Sequence, residues 1–231
     1  MTRPVHVVTG GFGGLASAVA RRACADGAKV VLVGRAAKPP AWVGELGPDA
    51  LAIGGVDLSA PGEAERALGP VLARFGRIDS LINCVGAFRW QTLLEGDPKT
   101  WSSLYAANVL TVQAACRAAL PAMIAAGRGA IVNVGASAAV KAGPGMGAYA
   151  AAKAGLAKLT ESLAEEVKAH GVRVNAVLPS IIDTPDNRAE MPNADFAAWV
   201  TPQDLAAVIL FLASDAARAV TGALIPVTGR L

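Results

Sequence analysis

Tyr149 and Lys153 are the residues of this sequence whose types and spacing most clearly suggest chemistry. Residues four apart on a helix share one face, so the phenol and the ammonium would be neighbours. A tyrosine ordinarily has a pKa of about 10, too high for efficient proton transfer at neutral pH, and a nearby positive charge lowers that pKa. Such pairs also arise by chance on helix surfaces, so this one gains meaning only from its surroundings.

A glycine-rich segment at residues 9–15 (TGGFGGL) follows the first strand-like run and precedes a helical pattern. Glycines there let the backbone approach a pyrophosphate, and the N-terminus of the helix offers free N–H groups and partial positive charge. The position between a strand and a helix predicts a dinucleotide-binding loop, and a tight turn without a ligand is the alternative. With a nicotinamide cofactor, the positive ring would lower the pKa of Tyr149 further, and Lys153 could reach ribose hydroxyls.

The end of the second strand-like run distinguishes the two nicotinamide dinucleotides. An acid there binds the ribose 2′-hydroxyl of NAD, and a basic residue accommodates the 2′-phosphate of NADP. The sequence has Arg35 at this point and no acid beside it, so it favours NADP(H) over NAD(H) through a bidentate contact. A solvated arginine is the alternative. Asp57, after the third run, could accept a hydrogen bond from the adenine amino group or only cap the next turn.

Strand and helix patterns alternate along the whole chain. The β-branched runs lie at 5–8, 30–33, 51–53, 80–83, 130–134, 172–177 and 224–227, and the helical patterns lie near 13–26, 62–75, 99–126, 147–169 and 202–213. Near-continuous apolar runs are typical of parallel strands covered on both faces. We therefore expect a single α/β domain, a Rossmann-type doubly wound parallel sheet with helices on both faces. The proline-rich segment at about 179–201 has the length of a functional lid.

The composition excludes several other classes of protein. The chain has 231 residues, of which 53% are hydrophobic and 17% charged, which excludes intrinsic disorder. A net charge of +3 is too weak for a nucleic-acid interface, and no apolar run is long enough to span a membrane. The start of the chain lacks a signal-peptide pattern, and three scattered cysteines indicate reduced thiols, so we expect a cytoplasmic protein. The two histidines lack metal-ligand spacing, so no metal site is expected.

With these motifs in place, the sequence resembles the short-chain dehydrogenase/reductase family over nearly its whole length. The further matching pieces are 83–86 (NCVG), Asn108, 179–184 (PSIIDT) and 221–229. The resemblance implies a three-layer α/β/α fold with strand order 3-2-1-4-5-6-7, a small-molecule substrate, and dimers or tetramers formed through the two long helices. It also implies that Tyr149 is the acid/base, that Lys153 tunes it and binds ribose, and that Asn108 anchors a proton-relay water.

The motifs and the resemblance together assign further residues to the cofactor. Backbone groups of Ile182 and Thr184 would contact the carboxamide and the phosphates. Besides Tyr149 and Lys153, the expected cofactor contacts are Gly10, Phe12, Gly14, Leu15, Arg35, Asp57, Leu58, Asn83, Gly86, Pro179, Ile182 and Thr184.

One position departs from the family pattern. The family normally has a serine thirteen residues before the tyrosine, where it polarises the substrate carbonyl, and this position is Ala136 here. A one-residue deletion would bring Ser137 into that catalytic role, whereas without one Ser137 would face away, because successive side chains at a strand end point to opposite sides. Losing an oxyanion-type donor costs about 100- to 1,000-fold in rate, which argues against a simple ketone as the substrate.

Two segments, 178–199 and 143–146 (GPGM), look like those of dihydropteridine reductases, which also lack the serine. Those enzymes reduce a quinonoid dihydropterin, where hydride enters a conjugated C=N system and little alkoxide charge develops. Substrate contacts would then come from Phe88, Trp90 and Trp199, which could stack on a flat aromatic molecule or only pack the core and lid.

Two residues differ from the pattern of the dihydropteridine reductases. Those enzymes usually have an acid near the position of Arg35 and lack the asparagine that Asn108 supplies. A ketone or 3-oxoacyl reductase that uses Ser137 is therefore one alternative. A non-catalytic NADP(H) sensor is another, although such a sensor would need neither Tyr149 nor Lys153.

Overall fold

Seven parallel strands form the centre of the protein in the computed structural model, which describes residues 3–231. In chain order they are β1 (Val5–Thr9), β2 (Lys29–Val33), β3 (Ala50–Ile53), β4 (Ser80–Asn83), β5 (Gly129–Val134), β6 (Val172–Pro179) and β7 (Leu224–Val227). Their order in the sheet is β3-β2-β1-β4-β5-β6-β7. The predicted doubly wound parallel sheet and its strand order are therefore confirmed.

Helices cover both faces of this sheet. They are α1 (Gly14–Ala25), α2 (Glu63–Phe75), α3 (Lys99–Tyr105), α4 (Thr111–Ala125), α5 (Gly147–Val167), α6 (Pro185–Glu190) and α7 (Pro202–Ala213). Neighbouring strand residues alternate between two apolar cores: Val7 packs with α2, α4 and α5, while Val8 packs with α1 and α7. Because the central strands are buried on both faces, their sequences are apolar at successive positions.

The helical pattern over 99–126 is divided in the structure. A π-helical turn, Ala106–Leu110, separates α3 from α4. Asn108 lies in this turn, and its Nδ2 donates to the carbonyl oxygen of Leu104, 2.9 Å away. A side chain that bonds to a helix carbonyl competes with the backbone for it, and such π turns are frequent at functional sites.

Among residues 3–231, one helical stretch, Lys99–Ala125, has the length and mean hydropathy, 1.2, of a possible membrane span. Of its most apolar window, 44% is buried inside the protein. It includes buried positions of the apolar core formed with α2 and α5, such as Val112 and Met123. A core helix of this kind satisfies the same criteria, so the stretch is weak evidence for a membrane.

The expected lid, residues 179–201, folds back on itself above the sheet. Its two ends meet, because Val200 N donates to Ile181 O at 3.0 Å and Asp183 N donates to Val200 O at 2.8 Å. Arg230, which follows β7, adds a bond from its N–H to Ala198 O at 3.0 Å. The segment is therefore held at its base by backbone hydrogen bonds.

Candidate active site

The glycine loop lies where β1 ends and α1 begins, beside the loop that follows β4. Gly10 has a φ of +62°, and a Cβ at this position would lie 2.7 Å from the backbone nitrogen of Val85, so only glycine fits. At Gly14, the first residue of α1, the methyl carbon of the Thr184 side chain lies 3.5 Å from where a Cβ would be. The lid residue Thr184 therefore covers the N-terminus of α1.

A pocket of about 330 Å³ runs along the side of α1 from Gly14 to Arg21 and faces Thr184 and the start of α7 at Pro202. The glycine loop lies at the start of this helix, where no side chain caps the first turn. Bare glycine backbone and an uncapped helix N-terminus are the features that a pyrophosphate requires, so the residues of this loop fit a dinucleotide.

The other residues of the loop pack inward. Leu15 is buried in the core, and the ring of Phe12 lies on Gly34, where a Cβ would come within 2.2 Å of it. Only backbone atoms of Leu15 can therefore face a ligand. Phe12 instead covers the end of β2, immediately before Arg35.

Arg35 and Asp57 lie close enough together for their charges to interact. Hydrogen bonds to Asp57 Oδ1 from the Ser59 hydroxyl at 2.6 Å and the Ser59 N–H at 3.0 Å lower the pKa of this carboxyl group. The positive charge of Arg35 lowers it further. Asp57 therefore caps a turn, as one interpretation of the sequence had it, and the next residue, Leu58, is buried.

Asn83 was predicted to contact the cofactor, but its side chain is fully buried within a polar network. Its Oδ1 accepts from Thr9 Oγ1 at 2.8 Å, and its Nδ2 donates to Asn133 Oδ1 at 2.9 Å. Asn133 Nδ2 in turn donates to Thr160 Oγ1 at 2.9 Å. The Asn83 side chain thus joins β1, β4, β5 and α5 in the interior of the protein. The sequence signal for this network is a pair of asparagines near the ends of two buried strands, Asn83 in β4 and Asn133 in β5.

Tyr149, Lys153 and Asn108 converge near Gly86. The Lys153 Nζ lies 5.8 Å from the centroid of the Tyr149 ring and donates to Val134 O at 2.8 Å. A Cβ at Gly86 would lie 3.3 Å from that Nζ and 2.8 Å from Asn108 Oδ1, so glycine is needed to admit both. Asn108 is held in turn by Ala87, whose carbonyl accepts from its Nδ2 at 2.9 Å.

The electrostatics of the pair differ from the expectation. Burial raises the pKa of the Tyr149 phenol to about 12, although the sequence predicted that Lys153 would lower it. Burial also lowers the pKa of the Lys153 ammonium to about 8. Removal of water disfavours the charged form of both groups.

Ala136 lies in the apolar cluster beside Tyr149. Its methyl group is buried in a small cluster with Ala138 and Ala150, against which Tyr149 and Met146 pack. Ser137 begins a 3₁₀ turn, Ser137–Ala139, and is exposed to solvent. Ser137 therefore does not share the buried position of Ala136, and its role as a carbonyl donor stays a prediction.

The three aromatic residues predicted to contact substrate occupy different environments. Phe88 is half-exposed and packs edge-on against Tyr149, with 4.9 Å between ring centroids. Trp90 is also exposed, and its Nε1 donates to Pro144 O at 2.9 Å. Trp199 is only 5% exposed and packs on Phe196 within the lid. Trp199 therefore fills the interior of the lid and does not line its surface.

The lid residues assigned to the cofactor have local structural partners. Pro179 is the last residue of β6, and Ile182 pairs with Val200 in an isolated bridge. Thr184 caps α6 by accepting from Asn187 N at 3.3 Å, and Asn187 Nδ2 donates to Ile182 O at 2.8 Å. Asn187 thus holds the backbone carbonyl of Ile182 and the side chain of Thr184.

The comparisons with known proteins agree with this fold and site. A family model described as short chain dehydrogenase matches residues 4–195. The chain belongs to the short-chain dehydrogenase/reductase family. It is an oxidoreductase of the short-chain type, and this family uses NAD or NADP as its cofactor.

Curated relatives and solved structures cover nearly the whole chain. The 2-(S)-hydroxypropyl-CoM dehydrogenase 3 of Xanthobacter autotrophicus is 32% identical over 97% of this chain and 95% of its own length. The 3-oxoacyl-(acyl-carrier-protein) reductase FabG of Escherichia coli is 31% identical over 97% of this chain and 96% of its own. A short-chain type dehydrogenase/reductase from Mycobacterium ulcerans has a TM-score of 0.91 at 28% identity, covering 98% of this chain and 89% of that one.

Proposed function

We propose that this protein is an NADP(H)-dependent reductase in which Tyr149 delivers a proton to a flat, conjugated substrate. When bound, the nicotinamide dinucleotide supplies the hydride of the reduction. A phenol whose pKa is raised to about 12 is protonated at neutral pH, so the proton to be delivered is present. Its transfer would need the positive charges of Lys153 and of the nicotinamide ring after hydride loss to lower that pKa. The convergence of Tyr149, Lys153 and Asn108 argues against a sensor, which would need only the cofactor-binding half.

Lys153 is well placed to bind the ribose and to stabilise the phenolate that forms when Tyr149 loses its proton. With a pKa of about 8, its ammonium is mostly charged at neutral pH. Asn108 would anchor the water that returns a proton to the site. Its side-chain bonds to Ala87 and Leu104 hold it rigidly for that task.

The preference for NADP(H) is supported by the surroundings of Arg35. The side chain is exposed at the end of β2, and the sequence has no acid there to bind a ribose 2′-hydroxyl. A guanidinium can contact a phosphate in a bidentate manner. NADP(H) would therefore bind with Arg35 on its 2′-phosphate, while glycine backbone at Gly10 and Gly14 approaches the pyrophosphate.

The substrate class rests on one observation: the Ala136 methyl group lies in the small apolar cluster against which Tyr149 packs. A ketone accumulates alkoxide charge as it is reduced and needs a second donor, whereas a conjugated C=N group develops little. Phe88 adds an aromatic wall against which a planar ring could pack. We therefore propose a pterin-like or similar conjugated aromatic substrate.

A 3-oxoacyl or other ketone reductase is the second candidate, and the names of several relatives favour it. Relatives 30–31% identical to this chain are named 3-oxoacyl-(acyl-carrier-protein) reductases. This function would need a carbonyl donor, and Ser137 could act only if the turn at Ser137–Ala139 rearranged. The exposure of Ser137 makes this candidate the weaker one.

The two candidates are separated by following NADPH and NADH oxidation with quinonoid dihydropterin and with a panel of ketones. We expect the pterin to be reduced and the ketones to react slowly. Ala136→Ser should raise ketone turnover by about tenfold or more, because it restores a donor beside Tyr149. Ser137→Ala is the matched control and should change neither activity. Efficient ketone reduction that Ser137→Ala abolishes would overturn the proposal, and tight NADPH binding without turnover would favour the sensor.

We further propose that the protein is a cytoplasmic homodimer or homotetramer. Trp101, Tyr105 and Leu110 are exposed on the segment that runs from α3 to the start of α4, as expected of an interface between long helices. The three cysteines are free thiols, which fits a reducing compartment. Light scattering coupled to size-exclusion chromatography would give the number of subunits, and a monomer at micromolar concentration would contradict this assembly.

A further inference from the structure

Two loops that flank Tyr149 are joined to each other. The first, residues 84–98, follows β4 and carries Phe88 and Trp90. The second, residues 140–146, precedes α5. Besides the bond from Trp90 Nε1 to Pro144 O, the N–H of Gln91 donates to Gly145 O at 2.8 Å. Adjacent residues of the first loop thus bond to adjacent residues of the second.

The contact between Trp90 and Gly145 depends on the absence of a side chain. Gly145 has a φ of +72°, and a Cβ there would lie within 2.2 Å of the indole ring. The ring therefore packs directly on the backbone of the second loop. Any other residue at 145 would strain the backbone and displace the indole.

Both elements that Trp90 ties together contact Tyr149. Gly145 immediately precedes Met146, the residue that caps α5, and Tyr149 lies in the first turn of that helix. Ala150 N donates to Met146 O at 2.7 Å, so the helix start is continuous with the loop. Phe88, two residues before Trp90, packs edge-on against the phenol ring.

We propose that Trp90 is a positioning residue that fixes the phenol of Tyr149 through Gly145, and not a wall that contacts the substrate. This inference rests on the proposed role of Tyr149 as proton donor. With its nitrogen bonded to Pro144 and its ring packed on Gly145, the indole links the two loops, while the residue stays 59% exposed. Removing it frees the start of α5 and the Phe88 ring together.

The kinetic test compares Trp90→Ala and Trp90→Phe with Leu94→Ala, a control at a 97% exposed position of the same loop. For a substrate found in the screen above, we expect Trp90→Ala to lower kcat by about 10- to 100-fold, since small misplacements of reacting groups have effects of this size. KM and the Kd for NADPH, measured by its fluorescence, should stay within about twofold. Trp90→Phe keeps a ring but loses the N–H donor, so its kcat should lie between those of Trp90→Ala and the wild type. Leu94→Ala should have the kcat of the wild type.

A raised KM with unchanged kcat would show that Trp90 binds substrate, and would overturn the inference. Equal losses in kcat, NADPH affinity and thermal stability would also overturn it, because they would indicate a general structural role.

A second measurement does not depend on turnover, so it separates failure of this inference from failure of the proposed function. The chain has two tyrosines, and Tyr105→Phe leaves Tyr149 as the single one. With ring-labelled tyrosine, NMR at neutral pH then reports Tyr149 alone. We expect Trp90→Ala, but not Leu94→Ala, to move its resonances toward those of an exposed tyrosine. Unchanged resonances in Trp90→Ala would refute the positioning role whatever the substrate is.

Discussion

The buried ammonium of Lys153 should make the ligand-free protein less stable than a variant without it. The side chain is 4% exposed and donates to Val134 O, and its pKa is lowered from the ordinary 10.5 to about 8 because burial disfavours the charge. At about 1.4 kcal/mol for each unit of pKa, this difference corresponds to about 3 kcal/mol at neutral pH. The proposed role of the charge is to bind the cofactor, and in the ligand-free protein it lowers the free energy of unfolding.

Lys153→Met keeps the length of the side chain and removes the charge. The lost hydrogen bond to Val134 O offsets about 1 kcal/mol of this difference. We therefore expect the free energy of unfolding at pH 7 to rise by about 2 kcal/mol in the variant. For a chain of this size the melting temperature should then rise by about 4 to 8 °C, measurable by calorimetry or denaturant unfolding. NADPH affinity should fall in the same variant, because the ribose loses its cationic partner.

The pH dependence of this difference tests its cause. The unfolded chain keeps the lysine proton up to about pH 10.5, whereas the folded protein releases it above about pH 8. Between these values the unfolded state holds more protons, so this lysine makes the wild type more stable as pH rises. The advantage of Lys153→Met should shrink between pH 8 and 10.5, and subtracting the two proteins cancels the titration of groups common to both. A difference that stays constant from pH 7 to 10 would refute the reasoning.

Three further predictions concern other parts of the site. Tyr149→Phe should lower turnover by at least about 100-fold while NADPH affinity measured by fluorescence stays unchanged, and equal turnover would remove the phenol from the mechanism. Arg35→Asp should shift the ratio of kcat/KM from NADPH toward NADH, and an unchanged ratio would show that Arg35 is only solvated surface. Asn133→Ala leaves the Asn83 amide without its buried acceptor, so the free energy of unfolding in urea should fall by about 1 to 3 kcal/mol; a neutral result would mean that another acceptor replaces it.

The parallel strands were predictable because their signals are local, whereas their order in the sheet followed only from the family resemblance. Each strand run is apolar at successive positions, as in the pair Val7 and Val8, whose side chains enter opposite cores. The glycine loop was also predictable from the sequence, since Gly10 must adopt a positive φ against the backbone of Val85. The π turn around Asn108 was not predictable, because it depends on a contact with Ala87, twenty-one residues away in the sequence.

Residue types alone specify which chemical groups are available: a phenol, an ammonium, a glycine-lined loop and an alanine at the family's serine position. The three-dimensional packing specifies how these groups behave. It turned Ser137 outward through a 3₁₀ turn, buried Trp199 inside the lid, and raised the pKa of Tyr149 by excluding water from it. Side-chain direction and solvation depend on packing between distant segments, and the order of residues along one segment does not specify that packing.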